Sequence, residues 1–438
     1  MIFDVTCPGV ELWEVKDPHL YIAEAEFSGS DGRTCDRDHQ EFGFRFMAVG
    51  EKDGDARLYF NGKRIFLLAA MTRGFWPKTG MFPIEGMAER DIRQVIDLGY
   101  NMIMYHRAIG QPSSMDLCDQ QGILTYEEPG GYQCLPYPPT EFAQNWRKEK
   151  IRRMVMRDRS RPSLTNWNLD DWSYNEPNEW DYENISMVHR LDPSRIVTFN
   201  CIQAPADSVW EKNPFQLHMM PFDTAYYYDG WFDPYHFAAQ QGYVDEYYNN
   251  PRYYARYVLD PDRTTLGDST DVVPKDQIYF LGEEGAFGTQ LNLERIKGDL
   301  DSLGSDGWMD KEYLKWYHSY DRFLEAADLK DAFPTVEDLT MKMGHNLHYY
   351  HGRMIENARM MNIADGYVLN GWAGAMTNTD IVDTYRHPTG NPSILQHYSQ
   401  PLYIAVKIRN KVIPAGTAPI ADIFIINEQD LRGTHELQ

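Results

Sequence analysis

The sequence has few cysteines, no long apolar run and a shortage of positive charge. Its five cysteines among 438 residues are scattered and never form C-x-x-C, so neither a disulfide framework nor a thiolate zinc site is indicated. The longest apolar runs, such as RIFLLAAM at 64–71, are far too short to cross a bilayer. The first residues, MIFDVTCPGVELWEV, contain neither a basic stretch nor a long apolar one, so no signal peptide is visible.

Acidic residues outnumber basic ones by 65 to 42, which gives a net charge of −23. A nucleic-acid surface needs a basic patch, so we expect no nucleic-acid partner. Neither G-x-G-x-x-G nor G-x-x-x-x-G-K-[ST] follows an early strand, and we expect no cofactor. The chain does have an apolar content of 42% and an aromatic content of 14%, enough for a sizeable core.

Eight short apolar runs, each ending in Gly, Pro, Asn or an acid, alternate with segments of helical periodicity. The runs are RIFLLAA (64–70), NMIMYH (101–106), GILTYEEP (122–129), SLTNWNL (163–169), RIVTFN (195–200), FQLHMM (215–220), QIYFLGEEG (277–285) and DGYVLNGW (365–372). Several are nearly continuous in apolar character, as strands covered on both faces should be. The pattern predicts an α/β fold, a (β/α)₈ TIM barrel with insertions. A doubly wound open sheet is the second interpretation.

The two ends of the chain differ from the middle. Residues 1–48 contain the alternating run LYIAEAEF, and residues 400–438 alternate again in IADIFIIN. Neither end has enough strands to bury a sheet face by itself. We therefore predict the end of one β-sandwich at 1–48, a barrel at 49–399 and the start of another β-sandwich at 400–438, in a chain that is an excerpt of a longer protein or a truncated one.

Polar side chains follow most of the predicted strands, and in such barrels the active site lies at the carboxyl ends of the strands. The polar groups expected there are His106, Glu127, Glu128, Asp170, Asp171, Asn200, His218, Glu283, Glu284 and Trp372. Two carboxylates at the carboxyl ends of the strands are typical of a glycosidase. One attacks the anomeric carbon or activates water, while the other protonates the leaving oxygen. Glu283 and Glu284 stand out because they follow an apolar strand and precede Gly285.

Two further clusters bear on the choice of ligand. Residues 222–258 carry fourteen Phe, Tyr or Trp in 37 positions, and aromatic rings of this kind stack on the C–H faces of sugars. The three histidines of GHNLHYYHG, His345, His348 and His351, could be read as metal ligands. No acid completes a familiar zinc motif around them, so we expect no metal site there.

Several motifs, in this order along the chain, resemble those of glycoside hydrolase family 2, the family of β-galactosidases, β-glucuronidases and β-mannosidases. They are ELWEVKDPHLY (11–21), EFGFR (41–45), NGKRIFL (61–67), LGYNMIMYHR (98–107), LCDQQGILTYEEPGG (117–131), RMVMRDRSRPSLTNW (153–167), GEEGA (282–286), GW (371–372) and PLYIAVK (401–407). The resemblance implies a retaining glycosidase acting on a non-reducing-end sugar. It further implies that residues 1–48 end an immunoglobulin-like domain, and that the jelly-roll domain usual in this family is missing from this chain.

The resemblance assigns the nucleophile but not the proton donor. In the family the nucleophilic Glu is followed by one residue and then Gly, which corresponds to Glu283. The fourth strand of the family usually ends W-x-L-x-N-E, with the Glu as donor, whereas this chain has W-N-L-D-D-W. Trp172 therefore stands at the donor position, and an indole has no useful proton to donate. Asp171, one position earlier, and Glu176, in YNEP, are the candidate donors.

Four residues are expected to form the walls of the sugar pocket: His106, Glu128, His218 and Trp372. The competing hypothesis is a non-catalytic carbohydrate-binding barrel that has lost its proton donor, because one fold hosts many functions. A metal-dependent barrel hydrolase is a third hypothesis. The sequence leaves the sugar, the linkage, the oligomeric state and the compartment open.

Overall fold

The computed structural model describes residues 5–52, 55–130, 140–170, 179–198, 216–218, 226–228, 231–232, 278–284, 289–360, 364–373, 380–408, 413–429 and 431–436. For residues 55, 216–218, 226–228, 231–232, 279, 281–284, 357 and 407 it describes the backbone alone. The strands are β1 Tyr21–Ser28, β2 Thr34–Phe42, β3 Met47–Lys52, β4 Asp55–Phe60, β5 Lys63–Arg64, β6 Leu67–Thr72, β7 Met102–Tyr105, β8 Leu124–Glu127, β9 Leu164–Asn168, β10 Ile196–Thr198, β11 Gln216–His218, β12 Tyr226–Tyr228, β13 Trp231–Phe232, β14 Ile278–Glu284, β15 Gly366–Ala373, β16 Leu402–Ile408 and β17 Ala421–Asn427. The helices are α1 Met87–Asp97, α2 Pro112–Gln121, α3 Glu141–Asp158, α4 Glu179–Leu191, α5 Leu293–Leu303, α6 Asp310–Ala326, α7 Val336–Met360 and α8 Pro392–Tyr398.

An eight-stranded sheet forms the centre of the described structure, in the order β10-β9-β8-β7-β6-β15-β14-β13. Every pair of neighbouring strands in it is parallel. Seven of the eight strands coincide with apolar runs that the sequence predicts as strands, and α1 to α4 alternate with β6 to β10 along the chain. The predicted α/β architecture is therefore confirmed.

Of the predicted sixth strand, at 215–220, the structure describes residues 216–218, and these form the strand β11. In the described residues β11 pairs antiparallel with β12 in a separate two-stranded sheet. The neighbour of β14 in the central sheet is instead β13. A short apolar run fits a strand of either kind equally well, so periodicity could not place it in the sheet.

The two faces of the central sheet belong to separate apolar clusters because successive side chains of a strand point to opposite faces. We call the first the inner cluster, and from the central sheet it takes Leu67, Ala69, Met71, Met102, Met104, Leu124, Tyr126, Ile196, Ile278, Phe280 and Val368. The second, the helix-facing cluster, combines Leu68, Ala70, Ile103, Tyr105, Trp167, Val197, Tyr367 and Leu369 with helix residues such as Ile92 and Val95. Because both faces of the sheet are buried, several of its strands carry an apolar side chain at nearly every position.

Helix limits follow from local sequence. The side chain of Thr140 accepts a hydrogen bond from the backbone N–H of Ala143 and so caps the start of α3. Helix α2 begins with Pro112, whose missing N–H would have had no partner in the first turn. It ends at Gly122, which has a φ of 70°, a conformation in which glycine is not strained. None of the helices in the described ranges is long and apolar enough to cross a membrane.

Helix α7 touches the segment before α8 through two glycines. A Cβ on Gly344 would lie 1.6 Å from the carbonyl oxygen of Thr389, and one on Gly390 would lie 2.4 Å from the carbonyl oxygen of Gly344. No side chain larger than hydrogen fits at either position without moving a backbone. The two backbones are therefore in direct contact.

Both end regions form two-stranded antiparallel pairs, β1 with β2 and β16 with β17. In the second pair Tyr403, Ala405 and Ile426 belong to the helix-facing cluster, so one face of the hairpin is attached to the core. Residues of the alternate positions, including Ile404 and Ile425, are exposed. The boundaries at residues 48 and 400 stay predictions.

Candidate active site

Three polar side chains lie at the carboxyl ends of β7, β8 and β9, which are neighbouring strands of the central sheet. His106 comes one residue after β7, Glu128 one residue after β8, and Asn168 is the last residue of β9. Met104 and Tyr126, two positions earlier on β7 and β8, belong to the inner cluster. Because alternate residues share a face, the alternation extends the inner face to His106 and Glu128.

Glu128 is the centre of a hydrogen-bonded group. Its Oε1 lies 3.1 Å from Nδ1 of His106 and accepts a hydrogen bond of 3.2 Å from Nδ2 of Asn168. Its Oε2 accepts a hydrogen bond of 2.6 Å from the backbone N–H of Arg107. The hydroxyl of Thr198 donates to Oδ1 of Asn168 at 3.0 Å, so β10 also supports the group. His106, Glu128 and Asn168 are all buried.

Burial raises the pKa of Glu128 to about 7. The hydrogen bonds from Arg107 and Asn168, and the charges of Arg107 and Arg73, act in the opposite direction without overcoming burial. A carboxyl that titrates near neutral pH can both release and take up a proton there. Perturbed carboxyls of this kind are common at catalytic sites and also occur in structural networks.

The neighbouring acid, Glu127, faces the other way. Its Oε1 accepts a hydrogen bond of 2.7 Å from the backbone N–H of Gly110 and lies 3.4 Å from Nη2 of Arg157 on α3. Burial, reinforced by the charge of Asp158, raises the pKa of Glu127 well above its usual range. Glu127 therefore joins β8 to α3 and takes no part in the group around Glu128.

Trp372, which the sequence places in the pocket wall, lies in the helix-facing cluster. It is fully buried, its ring meets that of Tyr100 edge to face at 6.4 Å, and its Nε1 donates to Asp91 of α1 at 2.5 Å. The physical reason is a shift of the register between β15 and β6, which falls between Leu369 and Ala373. Such an irregularity breaks the alternation of faces along a strand.

One acid that follows β9, Asp170, lies among the described residues. Asp170 Oδ2 lies 3.6 Å from Nη2 of Arg147 on α3, and the same guanidinium binds Asp181 at 3.1 Å. Asp170 is thus held by a cation from the helix layer. Asp171 and Glu176, the two candidate donors, lie outside the described residues.

The backbone of β14 carries one extra residue relative to β15. Leu281 pairs with Tyr367 and Glu284 pairs with Leu369, so three steps on β14 match two steps on β15. The register of β14 against β15 is therefore irregular between Leu281 and Glu284, and the alternation of faces does not extend across such an irregularity.

The histidines fall in two different environments. His218 ends β11, which pairs with β12 outside the central sheet, and its side chain is not among those described. His348 and His351 are buried in α7, and burial lowers the pKa of His348 to about 4. In the described ranges no three His, Cys, Asp or Glu side chains are grouped so that they could hold a metal ion.

Asn168 is the one member of the group around Glu128 that the sequence did not single out. Its signal was present in WNLDD, where an amide stands two residues before an acid at a strand end.

Comparison with known proteins identifies relatives among glycosidases. The chain is 26% identical over 202 residues to a β-galactosidase of Pectobacterium atrosepticum, and 27% identical over 193 residues to a β-galactosidase of Thermoanaerobacterium thermosulfurigenes. These matches cover 45% and 42% of this chain but only 19% and 25% of the relatives. The chain thus matches at most a quarter of the length of these two curated relatives. No family model matches the chain.

Solved structures share the fold over most of the chain. A β-glucuronidase of Parabacteroides merdae superimposes with a TM-score of 0.56 at 18% identity, covering 90% of this chain and 44% of that protein. A GH2 β-galacturonidase of Eisenbergiella tayi gives a TM-score of 0.57 at 17% identity, covering 91% and 61%. Together with the names of the curated relatives, these likenesses confirm the resemblance to glycoside hydrolase family 2.

Proposed function

We propose that this protein is a glycoside hydrolase that cleaves an O-glycosidic bond at a non-reducing-end sugar by a retaining mechanism with two carboxylates. The observation that carries the proposal is the buried group of His106, Glu128 and Asn168 at the carboxyl ends of parallel strands. The glycosidases among its relatives support the same reaction class. Active sites of (β/α)₈ enzymes lie at this end of the strands.

We further propose that the central sheet closes into a (β/α)₈ barrel. Strands β10 and β13 are the first and last in the described order of the sheet, so the closure would lie between them. Strands β10 and β14, distant in the order of the sheet, both contribute to the inner cluster, which supports closure. The pairs β1–β2 and β16–β17 would then be parts of flanking immunoglobulin-like β-sandwiches. Carbohydrate is the proposed ligand, and neither nucleic acid nor a membrane is a proposed partner.

Glu283 is the proposed nucleophile. The resemblance to glycoside hydrolase family 2 gives it the family position, two residues before Gly285. In a retaining enzyme the nucleophile attacks the anomeric carbon and forms a glycosyl-enzyme intermediate, which water then hydrolyses.

Asp171 or Glu176 is the proposed proton donor. The donor must reach the glycosidic oxygen, and in retaining enzymes its carboxyl lies about 5–5.5 Å from that of the nucleophile. Asp171 follows β9 by three residues and has a shorter side chain than Glu, whereas Glu176 needs the segment after β9 to return over the strand ends. His106, Glu128 and His218 are the proposed walls of the sugar pocket.

A screen of glycosides with good and poor leaving groups tests this proposal. We expect the protein to cleave both aryl glycosides and natural oligosaccharides, since a donor is needed chiefly for the poor leaving group of a natural sugar. Asp171→Asn or Glu176→Gln, whichever removes the donor, should lower kcat on the oligosaccharide by about 10²–10⁴-fold while affecting the aryl glycoside far less. If a correctly folded protein cleaves neither substrate, the hydrolase proposal is wrong.

A second candidate function rests on Trp172, which stands where the family has its proton donor. On that account the barrel binds carbohydrate without cleaving it. Saturable binding of oligosaccharide, measured by calorimetry, without release of reducing sugar would favour this function. Release of reducing sugar that is lost in Glu283→Gln would exclude it.

A further inference from the structure

A pocket lined by arginines lies at the amino-terminal ends of β9 and β10, opposite the strand ends that carry Glu128. It has a volume of about 410 Å³, within the range of small-molecule sites, and its charged lining residues are Arg45, Arg159, Arg161 and Arg195. No Asp or Glu is among the lining residues. On a protein with a net charge of −23, a concave surface with only positive charges is unusual.

Two of the four arginines already have carboxylate partners. Arg161 binds Asp158 and Asp116, each at 2.7 Å, and Arg195 binds Asp192 at 2.7 Å. None of these carboxylates lines the pocket. The paired arginines therefore contribute hydrogen-bond donors to the pocket more than net charge.

Arg45 and Arg159 have no carboxylate partner among the described residues. Arg45 uses three of its N–H groups on backbone carbonyls: Nε donates to Pro162 at 3.1 Å, Nη1 to Ser194 at 3.4 Å, and Nη2 to Leu164. A guanidinium has five N–H groups, and no acceptor in the described part of the chain takes the other two. Within the described ranges, the guanidinium of Arg159 donates from Nη1 alone, to the carbonyl of Leu191 at 3.0 Å.

Arg45 is also in an unfavourable electrostatic position. Burial, together with the positive charge of Arg195, lowers the pKa of Arg45 to about 9, and the negative charges of Asp192 and Asp119 compensate only in part. A bound anion would relieve this cost, because an opposite charge stabilises the charged form of a group.

We propose that this pocket binds a phosphate-type oxyanion, held by Arg45 and Arg159 as the two arginines without carboxylate partners. Guanidinium groups match the geometry of phosphate oxygens with paired N–H donors, which is why arginine predominates in phosphate sites. Both Arg45 and Arg195 donate to the carbonyl of Leu164, the first residue of β9. The anion would therefore bind where β9 begins, while the candidate donors follow its other end.

Calorimetric titration of the full chain with inorganic phosphate tests the proposal, at pH 7.5 and with ionic strength held constant by NaCl. We expect saturable binding of about one phosphate per chain. Arg159→Gln should raise Kd about tenfold, as expected for the loss of one charge-assisted contact. Arg153→Gln is the matched control, because Arg153 is an exposed arginine of the same region paired only with Glu149; its Kd should change less than about twofold.

Two results would overturn the proposal. One is the absence of saturable heat up to millimolar phosphate, and the other is an equal effect of both substitutions, which would mean diffuse charge attraction.

A parallel titration with a hexose phosphate distinguishes inorganic phosphate from an organic phosphate as the ligand of the pocket. Tighter binding than inorganic phosphate would identify an organic phosphate as the ligand, and equal binding the free ion. No glycoside is present, so the outcome is independent of the proposed hydrolase activity.

Discussion

The two ends of the central parallel strands carry polar side chains of different chemistry and use them differently. At the carboxyl ends, His106 and Glu128 bond mainly to other polar side chains and to one backbone N–H. At the amino ends, Arg45 and Arg195 donate to backbone carbonyls, including that of Leu164. The amino ends thus hold the strands in place, while the carboxyl ends collect groups with acid–base chemistry, as expected of a (β/α)₈ enzyme.

The largest expected effect is at the carboxyl end of β14. Glu283→Gln should lower kcat by about three orders of magnitude or more, because an amide cannot form the glycosyl-enzyme bond. Glu284→Gln, the matched control on the same strand, should cost less than about tenfold, since the proposal gives the role of nucleophile to Glu283 alone. Steady-state kinetics on an aryl glycoside measure both, and a greater loss in Glu284→Gln would reverse the assignment.

At the amino ends the expected loss is in stability. Arg195→Met removes a buried cation that binds Asp192 and donates to the carbonyls of Leu164 and Arg159. Removing one partner of a buried ion pair costs about 3–5 kcal/mol of unfolding free energy, measured by urea denaturation. Arg153→Gln, in an exposed pair, should cost less than about 0.5 kcal/mol. Similar losses in the two variants would mean that the amino ends do not hold the strands.

Glu128 predicts a pH dependence of stability. Its pKa in the folded protein is about 7, above the ordinary 4.5, so between pH 4.5 and 7 the folded state keeps a proton that the unfolded state has released. Stability therefore falls as pH rises through this window, by about 3 kcal/mol at about 1.4 kcal/mol per pKa unit. Urea denaturation at several pH values should show this contribution in the wild type and its absence in Glu128→Gln. Parallel pH profiles would contradict the prediction.

The smallest effect concerns Trp372, which sits near the carboxyl end of β15 but in the helix-facing cluster. Trp372→Phe removes the donation to Asp91, which keeps its contact with Arg386 at 3.2 Å. We expect a loss of about 2 kcal/mol of unfolding free energy and a KM changed less than about twofold. A KM raised tenfold or more would indicate that Trp372 does form part of the wall of the sugar pocket.

Much of the fold was predictable because strands buried on both faces leave continuous apolar runs, and α1 to α4 leave helical periodicity between them. The group around Glu128 was partly predictable, since His106 and Glu128 stand immediately after two such runs. The place of Trp372 in the pocket wall stays a prediction, and the register shift between β15 and β6 beside it leaves no mark in the sequence.

The arginine pocket was not predictable from the sequence. Its cations come from FGFR, RSR and the residue before β10, segments that are far apart in the chain and individually ordinary. An overall charge of −23 also gives no indication of an anion-binding site. Only the meeting of three segments at the start of β9 makes these arginines a group.

The contact between Gly344 and Gly390 has a mechanical consequence. Because the two backbones touch without an intervening side chain, α7 and the segment after β15 have no compressible layer between them. Close-packed interiors transmit displacement instead of absorbing it. A shift of the segment that follows β15 would therefore be passed directly to α7, a helix of 25 residues.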